Sequence, residues 1–370
     1  MPQLIFDHVT RAVGGQRLLS DLNFSVDANE FLVFLGPPGC GNKTALRLIE
    51  GVEDVSNGRI IFNDAIINPS GHMNRGIVEL FGVLTLQPGL TVFENLALPL
   101  YPLNLTESEI NNRVIETAQL LSIHKHLKYK LQEISPRRRS MVAFGQAILT
   151  KKPITIINSC FTQSRPGKLP IPNDLVKQIH QASQSLFLYA CSNSMEAMQI
   201  ATKIVVLNNG IFQQIGSPEN IYSRPENIFV AKMIGSPAMN FFDVLIRQSE
   251  KGLSIKANSF TIKLSPDYLA RLQPYLGKRL ILGIRPEDIY HPSCPPNKNH
   301  GAAIDIKVEA TQLLTGECIH FMLSGKDRFI ARMDPECHFP LGEKVQVFLD
   351  TDRIHLFDPL QDLENPPRIA

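Results

Sequence analysis

Four short apolar runs set the pattern of the first two thirds of this chain. Phe31-Leu32-Val33-Phe34-Leu35, Ile154-Thr155-Ile156-Ile157, Leu186-Phe187-Leu188-Tyr189 and Ile204-Val205-Val206-Leu207 are continuous rather than alternating. Runs of that length and composition predict strands buried on both faces of a largely parallel sheet. Helical periodicity fills the intervals. Over 106–122, Thr106 can cap a helix with Glu109 three residues on, and Ile110, Val114, Ala118 and Leu121 share one face. Ser135 followed by Pro136 predicts a second helix start, because proline at the first helical position loses no needed donor. That helix runs through Met141, Val142, Phe144 and Ile148, and a third is expected over 173–184. Residues 1–30, around Gly14-Gly15, predict a small antiparallel sheet, and Asn208-Asn209-Gly210 a turn. Alternating helices and buried strands define an α/β class.

The texture changes after Gly235-Ser236-Pro237. Period-two segments follow, from Leu280 to Arg285, Ile304 to Val308, Cys318 to Leu323, Phe329 to Arg332 and Val345 to Leu349. Short alternating strands in series predict a small all-β barrel. Two domains are therefore expected, 1–235 and 236–370, with 291–300 as a surface loop.

Composition narrows the class of partner. At 370 residues, with 44% hydrophobic and 19% charged positions and a formal net charge of +2, the chain has core enough for two domains. It carries no global field for nucleic acid or anionic lipid. The N-terminus lacks the basic start and apolar core of a signal peptide, and no apolar run reaches the ~18 residues of a membrane span. The six cysteines, at 40, 160, 191, 294, 318 and 337, show no CxxC spacing and read as reduced thiols rather than a disulfide framework or zinc site. No metal site is expected.

Candidate chemistry sits after the first apolar run. Gly36, Pro37, Pro38, Gly39, Cys40, Gly41, Asn42, Lys43 and Thr44 join a strand to the helical pattern Ala45-Leu46-Arg47-Leu48-Ile49. A glycine-rich turn in that context presents backbone N–H groups to phosphates at a positive helix end. The glycines fit; the cation does not. In the order Gly-Lys-Ser/Thr, Asn42 fills the lysine slot and Lys43 the slot of the metal-binding hydroxyl.

Together these segments resemble the ATP-binding subunit of an ATP-binding-cassette importer, of the carbohydrate group that includes the maltose and glycerol-3-phosphate importers. Further motifs carry the resemblance: Leu90-Thr91-Val92-Phe93-Glu94-Asn95-Leu96, Glu196-Ala197-Met198, Val205-Val206-Leu207-Asn208-Asn209-Gly210 and Gly216-Ser217-Pro218. Gly235-Ser236-Pro237-Ala238-Met239-Asn240 resembles the hinge into the regulatory domain. Gly283-Ile284-Arg285-Pro286-Glu287 and Ile354-His355-Leu356-Phe357-Asp358 resemble that β-domain. The resemblance implies a P-loop cassette followed by an OB-like regulatory barrel. It also implies a homodimer or heterodimer with another ATP-binding subunit, membrane permease partners contacted around 82–102, and a cytoplasmic location, peripheral on the membrane.

It further implies a systematic loss of chemistry. The family's metal-liganding aspartate and catalytic glutamate align with Ser159 and Cys160, its loop glutamine with Gly82 and its switch histidine with Ser192. Its signature Leu-Ser-Gly-Gly-Gln aligns with Ile134, Ser135, Pro136, Arg137 and Arg138, its adenine-stacking aromatic with Val13, and its Ser-Asn-Leu-Asp loop with Gln163-Ser164-Arg165-Pro166. Phosphoryl transfer to water relies on Mg²⁺, cationic donors and an oriented water, so no catalytic residue is expected. The loop either keeps ATP without Mg²⁺, aided by Lys43, or is an inherited turn that binds nothing. Arg137-Arg138-Arg139 is either an anion site or a solvated helix start. Cys40 and Cys160 are a conceivable redox pair or inert buried thiols, and His124 and His126, beside Lys125 and Lys128, read as an exposed loop rather than a metal site. Four readings stay open: a non-hydrolysing importer subunit or regulator, a working ATPase with a rearranged site, a nucleotide-independent interaction protein, and a decaying gene product with no retained role, against which the well-kept hydrophobic pattern argues.

Overall fold

The computed structural model describes residues 3–68, 77–80, 86–157, 172–183, 185–249, 252–291, 301–314, 316–337, 339, 341–362 and 365–370, with backbone alone at 78–80 and 249. It falls into two compact units, Met1–Ile221 and Tyr222–Ala370.

In the first unit, ten strands form one sheet: β1 (Gln3–Val13), β2 (Gln16–Asp27), β3 (Phe31–Leu35), β4 (Asn57–Phe62), β5 (Ala65–Ile66), β6 (Ile77–Leu80), β7 (Ile154–Ile157), β8 (Leu186–Cys191), β9 (Lys203–Asn208) and β10 (Ile211–Gly216). Their order is β5-β4-β1-β2-β10-β9-β3-β8-β7-β6. The apolar runs make the parallel half: β3 pairs in parallel with β8 and β9, and β7 with β6 and β8. Residues 31–35, 154–157 and 186–191 are buried throughout. The antiparallel wing is the β1–β2 hairpin, turned at Gly14-Gly15 as expected, with β4 on its other side. Phe6 and Phe24 stack at 4.7 Å and both meet Phe34 edge-on, joining wing and parallel half in one core.

Local signals place the helices: α1 (Asn42–Glu50), α2 (Val92–Ala97), α3 (Glu107–Leu120), α4 (Pro136–Thr150), α5 (Asn173–Ser183) and α6 (Ser194–Ile200). Thr106 and Glu109 form the expected capping box, and the Ser135 hydroxyl accepts from the Arg138 N–H at 3.4 Å. Thr91 and Glu94 form another box on α2. Asn95, fully buried, ties the turn before that helix together by donating to Gln87, Leu90 and Thr91 carbonyls and accepting from the Gln87 N–H.

The second unit holds two five-stranded sheets. One has the order β13 (Thr261–Lys263), β12 (Gly252–Lys256), β11 (Asn240–Ser249), β14 (Arg279–Ile284), β20 (His355–Phe357). The other runs β15 (Ile289–Tyr290), β19 (Lys344–Asp350), β16 (Gly301–Leu314), β17 (Glu317–Ser324), β18 (Asp327–Met333). The predicted β segments of this half fall in strands, except that Arg285 lies one residue past the end of β14. Alternating inward residues such as Val244, Ile255, Leu282, Ile306, Met322 and Val347 fill a single core. Asn240 bridges the sheets, donating to the carbonyls of Ile284 (3.2 Å) and Ile330 (2.9 Å) and accepting from the Ile330 N–H (2.7 Å). Buried Arg285 donates to the carbonyls of Tyr222 (2.6 Å) and Ile234 (2.8 Å), and its guanidinium lies 3.6 Å over the Tyr222 ring. It clamps the helical segment 222–234 to β14. Most of the expected 291–300 loop lies outside the described residues.

Candidate functional site

The candidate loop leaves the carboxyl end of β3, between β8 and β9, where parallel sheets gather ligand sites. Two glycines set its path. Gly36 is buried, and a Cβ there would run into the Leu207 carbonyl and Cys40 Sγ. Gly41, at φ 96°, starts α1 with Leu19 and Leu18 so close that a Cβ would come within 2.6 and 2.8 Å of them. Backbone bonds brace the turn: the Cys40 N–H donates to Pro37, the Gly210 N–H to Cys40 and the Ala45 N–H to Gly41. Pro38 and Gly39 face solvent. In shape, this is a phosphate cradle.

Its electrostatics differ. Asn42 is only 7% exposed, and its side chain folds back into the protein. Its Nδ2 donates to the Cys191 carbonyl at 3.1 Å, and its Oδ1 accepts from the Lys43 N–H at 2.8 Å. That N–H is one of the unpaired donors at the start of α1 on which anion binding depends. Lys43 is exposed. Thr44 lies one position beyond the hydroxyl slot. The backbone fits a phosphate; the side chains supply neither the buried cation nor the metal-binding hydroxyl.

Around the loop, Cys40 and Cys191 are buried free thiols. Burial pushes the Cys40 thiol up, and burial with the Glu196 carboxylate pushes Cys191 up to about 12. Thiols held that far from thiolate are poor nucleophiles. The expected neighbour Cys160 lies outside the described residues, as do Gly82, Ser159 and Gln163–Pro166. Ser192 is exposed between β8 and α6, whose cap is the Asn193 side chain. Val13 is half exposed at the end of β1.

Ile134, Ser135, Pro136, Arg137 and Arg138 lie elsewhere, at the start of α4, which packs on α2, α3 and β6. Ile134 is buried, while Arg137 and Arg138 are exposed. Arg139 departs from the reading of the three arginines as one basic group. Its guanidinium donates to the carbonyls of Leu131, Gln132 and Ile134 and so holds the preceding loop. His124 and His126 form a short 3₁₀ turn, His124 exposed. The sequence reading passed over Cys191, whose carbonyl receives both Asn42 and the Gly36 N–H; its only signal was its place at the end of an apolar run.

Comparison with known proteins settles the class. Residues 19–162 match the ABC transporter family and residues 235–289 the MalK OB fold domain. The osmoprotective compounds uptake ATP-binding protein GgtA of Synechocystis is 34% identical over 97% of this chain and 98% of its own length. The oligosaccharides import ATP-binding protein MsmX of Bacillus subtilis is 31% identical over the same shares. Among solved structures, cbiO1 from Clostridium perfringens, part of the ABC transporter complex cbiONQ, is similar in fold. It superposes with a TM-score of 0.52 at 18% identity, covering 60% of this chain and 90% of that one. The chain belongs to the ATP-binding proteins of ABC transporters. It is a homologue of the ATP-binding subunits of sugar and osmoprotectant importers, a P-loop cassette joined to a MalK-type OB-fold domain. Among the described residues, no helix is long and apolar enough to cross a membrane.

Proposed function

We propose that this chain is a non-hydrolysing ATP-binding-subunit homologue that serves a sugar-type importer as a structural or regulatory subunit. The observation that carries the reading is the Asn42 side chain. It neutralises the position of the catalytic cation and spends the Lys43 N–H on itself. Lys43 is no simple replacement, because adjacent helix positions point about 100° apart. Aligned residues Ser159, Cys160, Gly82 and Ser192 add the loss of metal ligand, base, water-positioning amide and switch imidazole. Several kcal/mol of barrier per group, at about 1.4 kcal/mol per tenfold in rate, leaves no useful turnover.

A partner would not restore the reaction. In the family each nucleotide lies between the phosphate loop of one subunit and the signature of the other. Here Asn42 spoils the first, while Pro136 without an N–H and bulky Arg137 spoil the second. The chain would therefore dimerise with itself or with an intact subunit as a non-firing member, and any bound ATP would lack Mg²⁺. Tyr101, about half exposed at the end of the 82–102 region, and Leu103 just beyond it on the same short turn support permease docking there.

Phosphate release from Mg-ATP by purified protein is the test. Turnover above that of a variant changed at Gly39, Asn42 and Lys43 together would refute the reading. A second reading, a nucleotide-independent interaction protein, is favoured by the self-satisfied loop and by Val13 in the adenine-stacking place. It predicts no thermal shift with ATP, with or without Mg²⁺.

A further inference from the structure

In the second unit, antiparallel strands β16 and β19 place Lys307 directly opposite Lys344. The residues two positions away, Asp305 and Gln346, form the next pair on the same face. Both lysines are exposed. Like charges directly opposed across a sheet destabilise it, and the single Asp305 carboxylate on that face leaves the pair in excess, so an anion lying over it is favoured. A third ammonium adds to the excess. Lys326, in the turn between β17 and β18, borders the same open groove of about 1570 Å³, which Lys307, Lys344, Asp305, Gln346 and Thr261 also line.

The carboxylates at hand are engaged with neutral groups. Asp305 Oδ1 accepts from Gln346 Nε2 at 3.4 Å, and Asp327 accepts from the Ser259 N–H at 3.1 Å and from its hydroxyl. Among the described residues, none of the three lysines is in an ion pair.

We propose that Lys307, Lys326 and Lys344 form a binding site for a small phosphate-bearing anion, a sugar phosphate or phosphate itself, in the groove of the OB-fold unit. Ammonium groups are strongly hydrated point charges with rotatable donors, suited to phosphate without fixed geometry. The hydroxyl and amide edges, Thr261 and Gln346, suit a neutral polyol body attached to that phosphate. An open groove of limited extent, with three ammonium groups along it, favours such a ligand over a broad acidic protein face. The inference is independent of nucleotide binding, since every residue in it lies beyond the cassette.

Calorimetric titration of the full chain at constant ionic strength tests it, with glucose 6-phosphate, inorganic phosphate and neutral glucose as separate arms. Saturable binding of glucose 6-phosphate or phosphate, and none of glucose, is expected; which phosphate binds more tightly tells the two sources apart. Lys307→Gln/Lys344→Gln should weaken that binding by about tenfold or more. Lys43→Gln should leave it unchanged, which separates the groove from the phosphate loop. All substituted side chains are exposed, so folding survives. In the absence of ligand, Lys344→Gln should raise Tm at low salt and lose that gain at high salt, as relieved repulsion requires. Absence of saturable binding, equal affinity in the double variant, or binding confined to an acidic polypeptide such as polyglutamate overturns the proposal.

Discussion

Replacing Asn42 by alanine is the most direct probe of the phosphate loop. The side chain is 93% removed from solvent by its 7% exposure and makes two hydrogen bonds, 3.1 Å to the Cys191 carbonyl and 2.8 Å from the Lys43 N–H. An intramolecular hydrogen bond contributes about 0.5–1.5 kcal/mol net, so truncation should cost about 1–3 kcal/mol. The β3–β8 pairing is untouched, because the Gly36 N–H still donates to Cys191. For a domain of this size about 1 kcal/mol moves Tm by 2–4 °C, which sets the expected fall at roughly 2–12 °C without ligand. Ligand should act in the opposite direction. With Asn42 gone, the Lys43 N–H is free for an anion, and the Tm gain from saturating pyrophosphate or ADP should be larger in Asn42→Ala than in the parent. Differential scanning fluorimetry, with and without anion, reads both changes. An unchanged ligand-free Tm, or an anion response no larger than the parent's, would refute the idea that this amide closes the loop on itself.

Other expectations follow from the same contacts. Asn42→Lys should gain nucleotide affinity without phosphate release, because Ser159 and Cys160 supply neither metal ligand nor base; turnover in that single variant would contradict this. Gly41→Ala, at φ 96° with Leu18 and Leu19 in the way, should destabilise far more than Gly39→Ala, which has the same left-handed backbone but open space; urea unfolding compares them. Arg285→Lys should lose most of what Arg285→Ala loses, about 3–5 kcal/mol by denaturant unfolding of the second unit, since an ammonium cannot serve Tyr222 and Ile234 carbonyls together while stacked on a ring. His355 is held down to about 3 by burial and by the Arg368 and Arg285 charges. Its folded value lies below the ordinary 6.5, so its contribution to stability is complete above that pH and drains away as pH falls toward 3. His355→Leu should flatten that part of the stability profile. Asp288 runs the other way, raised to about 7 by burial and the Glu287 and Asp350 carboxylates. It stabilises below pH 3.8 and loses that as pH rises through 7, and Asp288→Asn should remove the loss.

What could be read from the chain alone was what is decided locally. The caps at Thr106 and Ser135 depend on residues three positions away, and the strands at 31–35, 154–157 and 186–191 announce themselves by continuous burial. Strand β11 was hidden, read as a hinge at its start, because its partner β14 begins to pair through Asn240 and Ile284, 44 positions apart. The two-sheet division of the β-domain rests on contacts such as Asn240 with Ile330, at a separation of 90. The site shows the same division. Glycine spacing marked out the loop and Asn42 in the lysine slot was plain, but the hydrogen bond that engages the Asn42 amide depends on Cys191, 149 residues away. Arg139 was grouped with Arg137 and Arg138 by adjacency, although the carbonyls it serves lie in the loop before the helix.

The frame and the positions aligned with the family's hydrolytic groups draw on different residues, so on the proposed reading one can persist without the other. The core around Phe6, Phe24 and Phe34 is apolar and uses none of the loop's polar side chains. Val13 and Ser192 face solvent, where substitution costs the fold little. Position 42 is the informative exception because it is buried. A lysine there must hold an ammonium in a confined pocket, unfavourable until a phosphate arrives. Asparagine satisfies its own polar atoms without ligand and caps a donor of α1 besides. On the proposed reading, asparagine at this position stabilises the empty loop at the expense of ligand binding, the usual direction of the exchange between stability and activity at a site built to bind. Across substitutions at 42, ligand-free stability and anion affinity should accordingly move in opposite directions, with asparagine at the stable, weakly binding end.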